Sequence, residues 1–175
     1  MSAVASSAST ELLQYFHDLL ASHFGDLRDA RAKLDPSSPV FALEHDLSSD
    51  DLELLKGGVR EAIKSHYITR YQKTWLPFVV YAAEVGYGYA GDEYWTTFSS
   101  LTPRWASQER AILREWFVRF HGQFGGARPS GAWANQFTII SWPITHAVLP
   151  TYLQRHLVQL LFEFSGACSG CGETP

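Results

Sequence analysis

Charge is scarce in this chain. Asp, Glu, Lys and Arg make up 18% of its 175 residues, against about 25% in an ordinary globular domain. The formal balance of −4 gives no overall positive field, so a polyanion such as nucleic acid is not an expected partner. Cysteine is almost missing. The two that occur, Cys168 and Cys171, both lie in the Gly- and Ser-rich tail 166–175, which excludes a disulfide-built scaffold. No apolar run reaches the ~20 residues of a membrane span, and the opening nine residues lack the basic flank and apolar stretch of a secretory signal. The expected location is therefore the cytoplasm, without a membrane partner. HExxH, ExxH and paired-acid spacings are absent as well, and so is any repeat of fixed period.

What the chain does have is apolar and aromatic. Hydrophobic residues make up 46% and aromatic ones 14%, and all six tryptophans fall between Trp75 and Trp142. At 19.7 kDa the chain is long enough to hide roughly two-thirds of its unfolded surface. The apolar residues recur at helical spacing. Ser9 or Thr10 is expected to cap a helix that carries Leu12, Leu13, Phe16, Leu19, Leu20 and Phe24 on one face. Asp35-Pro-Ser-Ser-Pro39 breaks it. Ser48-Ser-Asp-Asp51 opens a second helix with Leu52, Leu55, Val59, Ala62, Ile63, His66 and Tyr67 on a stripe, and with Gly57 and Gly58 off it.

Pro77 suits the first turn of a third helix over 78–85, which is apolar nearly all round and is expected to be central. Asp92 can cap 93–101. Ser107 can cap a long helix whose inner stripe is Ile112, Leu113, Trp116, Phe117, Phe120 and Phe124, with Arg110, Arg114 and His121 along one edge. Gly125-Gly126-Ala-Arg-Pro-Ser-Gly131 is the clearest loop. Trp133, Phe137 and Ile140 again have helical spacing, which Trp142-Pro143 kinks or stops. Thr151-x-x-Gln154 has capping-box form before a last helix, apolar on two sides through Leu153, Leu157, Leu160, Leu161 and Phe164 on one and Val158 and Phe162 on the other. The expected fold is all-α: a single compact domain of seven or eight short-to-medium helices in an irregular bundle over 9–165, between a disordered start 1–8 and a flexible Gly/Cys tail.

Five patterns could carry chemistry. Gly86-Tyr-Gly-Tyr-Ala-Gly91 satisfies GxGxxG, but a dinucleotide site also needs a strand before it and an acid about 20 residues on at a strand end. No βαβ alternation surrounds it, and the glycines read as a helix C-terminus and turn. Glu84 is the only charge from Trp75 to Ala90. A carboxylate set among rings needs a cation or N–H partner, and Arg104, Arg110 and Arg114 are the expected ones in a structural ion pair.

His146, in an apolar turn between two prolines, could pair with Glu84 but is read first as a hydrogen-bonded core residue, as are His23 and His66. Cys168-Ser-Gly-Cys171 is a CxxC with no second ligand pair at ribbon spacing, so no metal and no cofactor is expected. Arg104, Arg110, Arg114, Arg119 and Arg128 alternate with Trp105, Trp116 and Trp133, but these rings mostly belong to the inner stripes of their helices rather than to a stacking groove.

Ala83-Glu-Val-Gly-Tyr87, Gly91-Asp-Glu-Tyr-Trp-Thr-Thr-Phe98, Thr102-Pro-Arg-Trp105 and Trp142-Pro-Ile-Thr-His-Ala-Val-Leu-Pro150 together resemble the N-terminal helical region of large bacterial proteins linked to phage defence or mobile elements. The resemblance spans roughly residues 40–165, carries no catalytic residue, and implies that such a region precedes further domains. The functional expectation is a non-catalytic interaction or scaffold domain that buries Val158 and Phe162 against another protein, another domain or a second copy. The alternative is a small-molecule-binding or hydrolytic domain with a pocket at Glu84, Glu93, Arg104 and His146, with Asp92 nearby.

Overall fold

A computed structural model describes residues 2–65, 68–87, 100, 107–129, 142–143 and 145–146. Four α-helices and one 3-10 turn account for about three-quarters of them: α1 Ser2–Leu34, α2 Ser49–Ser65, the 3-10 turn Ile68–Tyr71, α3 Leu76–Tyr87 and α4 Ser107–Phe124. No strand occurs among the described residues, only a single parallel bridge between Val40 and Gly126. The fold seen is all-α, as expected. The helices expected over 93–101, 133–140 and beyond 151 lie outside the described residues.

α1 does not start at Ser9 or Thr10. Both lie inside a helix that already runs from Ser2. Alanines at positions 3, 5 and 8 favour that extension. At the other end the breaker acts as expected: Pro36 disfavours helical backbone at Asp35, and the Asp35 carboxylate accepts from the Ser37 N–H at 2.9 Å to turn the chain. α2 opens on a capping arrangement in which the Asp51 N–H donates to Ser48 Oγ at 3.1 Å, while the Ser48 hydroxyl donates back to the Asp51 carboxylate at 2.7 Å.

The core is where the stripes meet. Leu13, Phe16, Leu20 and Phe24 of α1, Leu55, Val59 and Ile63 of α2, nearly all of α3, and Leu113, Trp116, Phe117, Phe120 and Phe124 of α4 form one buried cluster. α3 is the central helix that its all-round apolarity predicts, with Leu76 through Ala83 buried without a break. Gly58, placed off the stripe in sequence, is buried at a close approach: a Cβ there would stand 3.1 Å from Leu12 Cδ2, which lets α1 and α2 come together, whereas Gly57 faces open space. Helical backbone is present at 142–143 and at 145–146.

A candidate functional site around the 36–47 segment

The glycine pattern can be settled first. The residues before it form helix through Tyr87, not a strand, so the GxGxxG match lacks the βα turn that holds a dinucleotide. Trp116 belongs to the core, and Arg119 lies over the buried Trp75 ring at 4.9 Å, so the part of the Arg/Trp series that can be seen is packing rather than an open stacking surface. Asp92, Glu93, Arg104, Trp105, Trp133, Val158, Phe162, Cys168 and Cys171 lie outside the described residues, as does His66. Among the described residues no group of His, Cys, Asp and Glu is arranged to hold a metal ion.

Glu84 lies near the end of α3, and among the described residues the groups that reach it are His45 and Lys56, while Arg104 lies outside them. His45 Nε2 is 3.2 Å from Oε1, and Lys56 Nζ is 3.2 Å from Oε2. The Leu47 N–H donates to His45 Nδ1 at 3.1 Å, which assigns the imidazole proton to Nε2 and makes His45 a donor to the carboxylate. The turn that allows this places Asp46 at φ 52°, a left-handed conformation that Asp tolerates better than most residues. Lys56 also reaches Glu53, at 3.3 Å. Burial pushes the Glu84 carboxyl up, and the hydrogen bonds from His45 and Lys56 together with the Lys56 charge outweigh it, so its pKa falls below the usual carboxylate value. Tyr81, one turn before Glu84, is fully buried. Desolvation raises its phenol pKa even though the Arg60 guanidinium sits over its ring at 5.9 Å.

His146 takes different partners. It is fully buried between Phe41, Phe117 and Phe120, whose ring centroids lie 5.2–6.0 Å from its own. The Ala42 N–H donates to its Nδ1 at 2.9 Å, so the ring proton is on Nε2, and Nε2 has no hydrogen-bond partner among the described residues. Burial holds the ring's pKa down at about 3. The Ala127 backbone pulls the other way, and nearby His121 adds to the lowering. His146 is thus a neutral core histidine, and Glu84 is not its partner.

Both residues hang from the stretch 40–47, which the helical patterns leave out. The Val40 N–H donates to the Gly125 carbonyl at 3.0 Å, and the Ala127 N–H donates to the Val40 carbonyl at 3.2 Å. Glu44 accepts from the Phe41 N–H at 2.8 Å and pairs with Arg31, and its carbonyl meets His23 Nε2 at 2.5 Å. So His23, read as a core histidine, is half-buried and ties α1 to this segment.

Gly125 closes α4 in the left-handed region, φ 70°, with its N–H on the His121 carbonyl at 2.9 Å. Gly126 has no room for a side chain: a Cβ would stand 2.5 Å from Phe120 Cδ1 and 3.1 Å from His121 Cα. The glycines that read as a loop are therefore a helix stop followed by a bridge to Val40. No family model matches the chain, and neither a curated protein nor a solved structure does.

Proposed function

We propose that this chain is a non-catalytic helical interaction module that docks on another protein, on a neighbouring domain or on a second copy through apolar helix surface. The carrying observation is on α1. Tyr15 and Leu19, one turn apart on the same face, are 58% and 41% exposed, and Leu54 on α2, which packs against α1, is 56% exposed. One exposed apolar side chain is ordinary, but an aromatic and an aliphatic at i and i+4 make a ledge that a partner can cover, and aromatic rings anchor such contacts.

The titratable residues support the same reading. Glu84 is held by two side chains of its own fold and His146 by a main-chain N–H within a ring cluster, so both act as structure. We read the expected last helix, with Val158 and Phe162, as continuing the docking surface, the remaining expected helices as completing a bundle of seven or eight, and the whole as a cytoplasmic N-terminal module of a larger bacterial defence-associated protein.

Sedimentation of the full chain tests the docking surface. The wild type is expected to sediment above 19.7 kDa or to bind an apolar dye, and Tyr15→Glu with Leu19→Glu is expected to abolish both while helicity and melting temperature hold. A monodisperse wild-type monomer without dye affinity defeats the reading.

A further inference from the structure

The C-terminal half of α1, residues 36–40 and the end of α4 enclose a cleft of about 390 Å³. Three arginines, Arg28, Arg31 and Arg128, and His121 line it, and among the described residues no Asp or Glu does. In a chain whose formal charge is −4, a cavity whose described lining carries charge of the positive sign alone is a local exception.

The cations differ in how they are engaged. Arg31 is fixed by the Pro39 carbonyl and the Glu44 carboxylate. Arg28 spans to α4 through a bond from Nη1 to the Gln123 carbonyl at 3.0 Å, and its acid partner is its own sequence neighbour Asp29, at 2.8 Å and largely exposed. Exposed pairs of that kind are weak and exchange readily for a stronger anion.

Arg128 has no acid. Its Nε–H donates to His121 Nε2 at 2.7 Å, and His121 Nδ1 meets the Gly126 carbonyl at 2.5 Å. This relay assigns the His121 proton to Nδ1, fixes the plane of the Arg128 guanidinium, and leaves the two Nη groups, the fork that fits phosphate oxygens two at a time. Pro36, Pro39, Val40 and Phe124 add apolar atoms to the lining.

We propose that this cleft binds a small organic phosphate monoester, its dianionic head held by Arg128 and Arg28 and its body against the apolar part of the lining. A phosphate group alone leaves most of the cleft unfilled, whereas about 300–1,000 Å³ is the range of sites that take small organic ligands. Arg31 and His121 are positioning residues: one holds the 36–40 wall in place, and the other orients Arg128. The site is independent of the α1 docking face, so either can fail without the other.

Isothermal titration of the full chain at low salt tests the assignment, with AMP, glucose 6-phosphate and inorganic phosphate as probes and single-stranded oligothymidylate as the macromolecular arm. Saturable one-to-one binding of AMP or glucose 6-phosphate is expected, about tenfold or more tighter than inorganic phosphate. Arg128→Gln should weaken it by about tenfold or more with the melting temperature of the unliganded chain unchanged, and Arg128→Lys should restore only part of the affinity. His121→Gln offers a second readout, weakening binding while every charge on Arg28, Arg31 and Arg128 is kept. Three results overturn the proposal: no saturable binding of either monoester, binding that Arg128→Gln leaves untouched, or oligothymidylate bound more tightly than both monoesters, which assigns the arginines to a nucleic-acid backbone.

Discussion

The 36–47 segment has two sides that use similar residue types to opposite ends. Toward α2 and α3, His45 and Lys56 close on the Glu84 carboxylate, and Glu53 takes up the remaining reach of Lys56. Toward α1 and the end of α4, Arg28, Arg31 and Arg128 line a cleft that no acid among the described residues enters, and Arg128 is matched there by a histidine that carries its proton on the far nitrogen. Charge scarcity makes the difference legible. With so few charges, an answered one is structure, and an unanswered one on a cavity wall marks a place where a ligand's charge would fit. The closed side should respond to mutation and acid through stability, the open side through binding.

Acid should produce the largest effect, and it acts through His146, which lies under both sides. Its folded pKa of about 3 is far below the unfolded value near 6.5, so between these values the unfolded chain binds a proton that the folded chain does not. Stability from this group is complete above pH ~6.5 and falls as pH drops toward 3. A fall from pH 7 to pH 4 should cost about 3 kcal/mol, read by urea unfolding at each pH. His17, whose pKa is lowered mainly by burial, adds loss in the upper part of the same window, and His17→Asn separates the two. A pH-independent stability between 6.5 and 4.5 in that variant would show that His146 is not enclosed as described.

Glu84→Gln comes next. Removing one partner of a fully buried pair costs about 3–5 kcal/mol, but here Lys56 keeps Glu53 and the site is not fully buried, so about 2 kcal/mol is expected. The depressed Glu84 pKa adds its own acid sensitivity, present above the normal carboxylate range and lost as pH falls through the folded value. The variant should therefore lose less further stability than the wild type below pH ~4.5, while the loss above that pH, which belongs to the histidines, persists. A variant as stable as the wild type would mean that His45 and Lys56 gain nothing from the carboxylate.

Gly126→Ala follows at about 1–3 kcal/mol, because the new methyl overlaps the Phe120 ring and the adjacent His121 Cα is backbone that cannot easily give way. The same change at Gly57, exposed in mid-helix and facing open space, should stabilise by up to about 1 kcal/mol. Matched thermal melts of the two variants read both signs, and equal shifts would contradict the crowding at Gly126.

Much of the helical frame could be read from spacing because each stripe points to one buried face: Phe16, Leu20 and Phe24 on α1 and Leu113, Trp116, Phe117 and Phe120 on α4 are core in the structure as in the pattern. Serine and threonine at 9 and 10 misled because a capping residue type marks a helix start only where the preceding chain is not itself a helix former, and alanines stand at 3, 5 and 8. His45 and Lys56 are not legible as partners of Glu84 because sequence distance favours nothing at a helix end. His45 and Lys56 lie 39 and 28 positions away, and only the packing of α2 on α3 and the turn at Asp46 bring them in. Residues 40–47 have no periodicity at all. They are organised by backbone bonds to Gly125 and Ala127 and by side chains from α1 and α3, long-range contacts that leave no local signal. The Gly-Gly pair was the one visible cue to the cleft, and it reads equally well as a plain loop.

Arg128→Ala is the sharpest test of the contrast because its expected effect on stability is the smallest. The side chain is exposed and among the described residues its hydrogen bond is to His121, so truncation should change the unfolding free energy by no more than about 0.5 kcal/mol. The size of the shift discriminates between the two sides. If Arg128 were part of a closed network like the one around Glu84, its loss would leave a partner group unsatisfied and stability would drop by a kilocalorie or more. If it stands at an open cleft, stability holds. Urea unfolding of Arg128→Ala beside Glu84→Gln under one set of conditions therefore measures, in the same units, which charges the fold uses for itself and which it leaves for something else to meet.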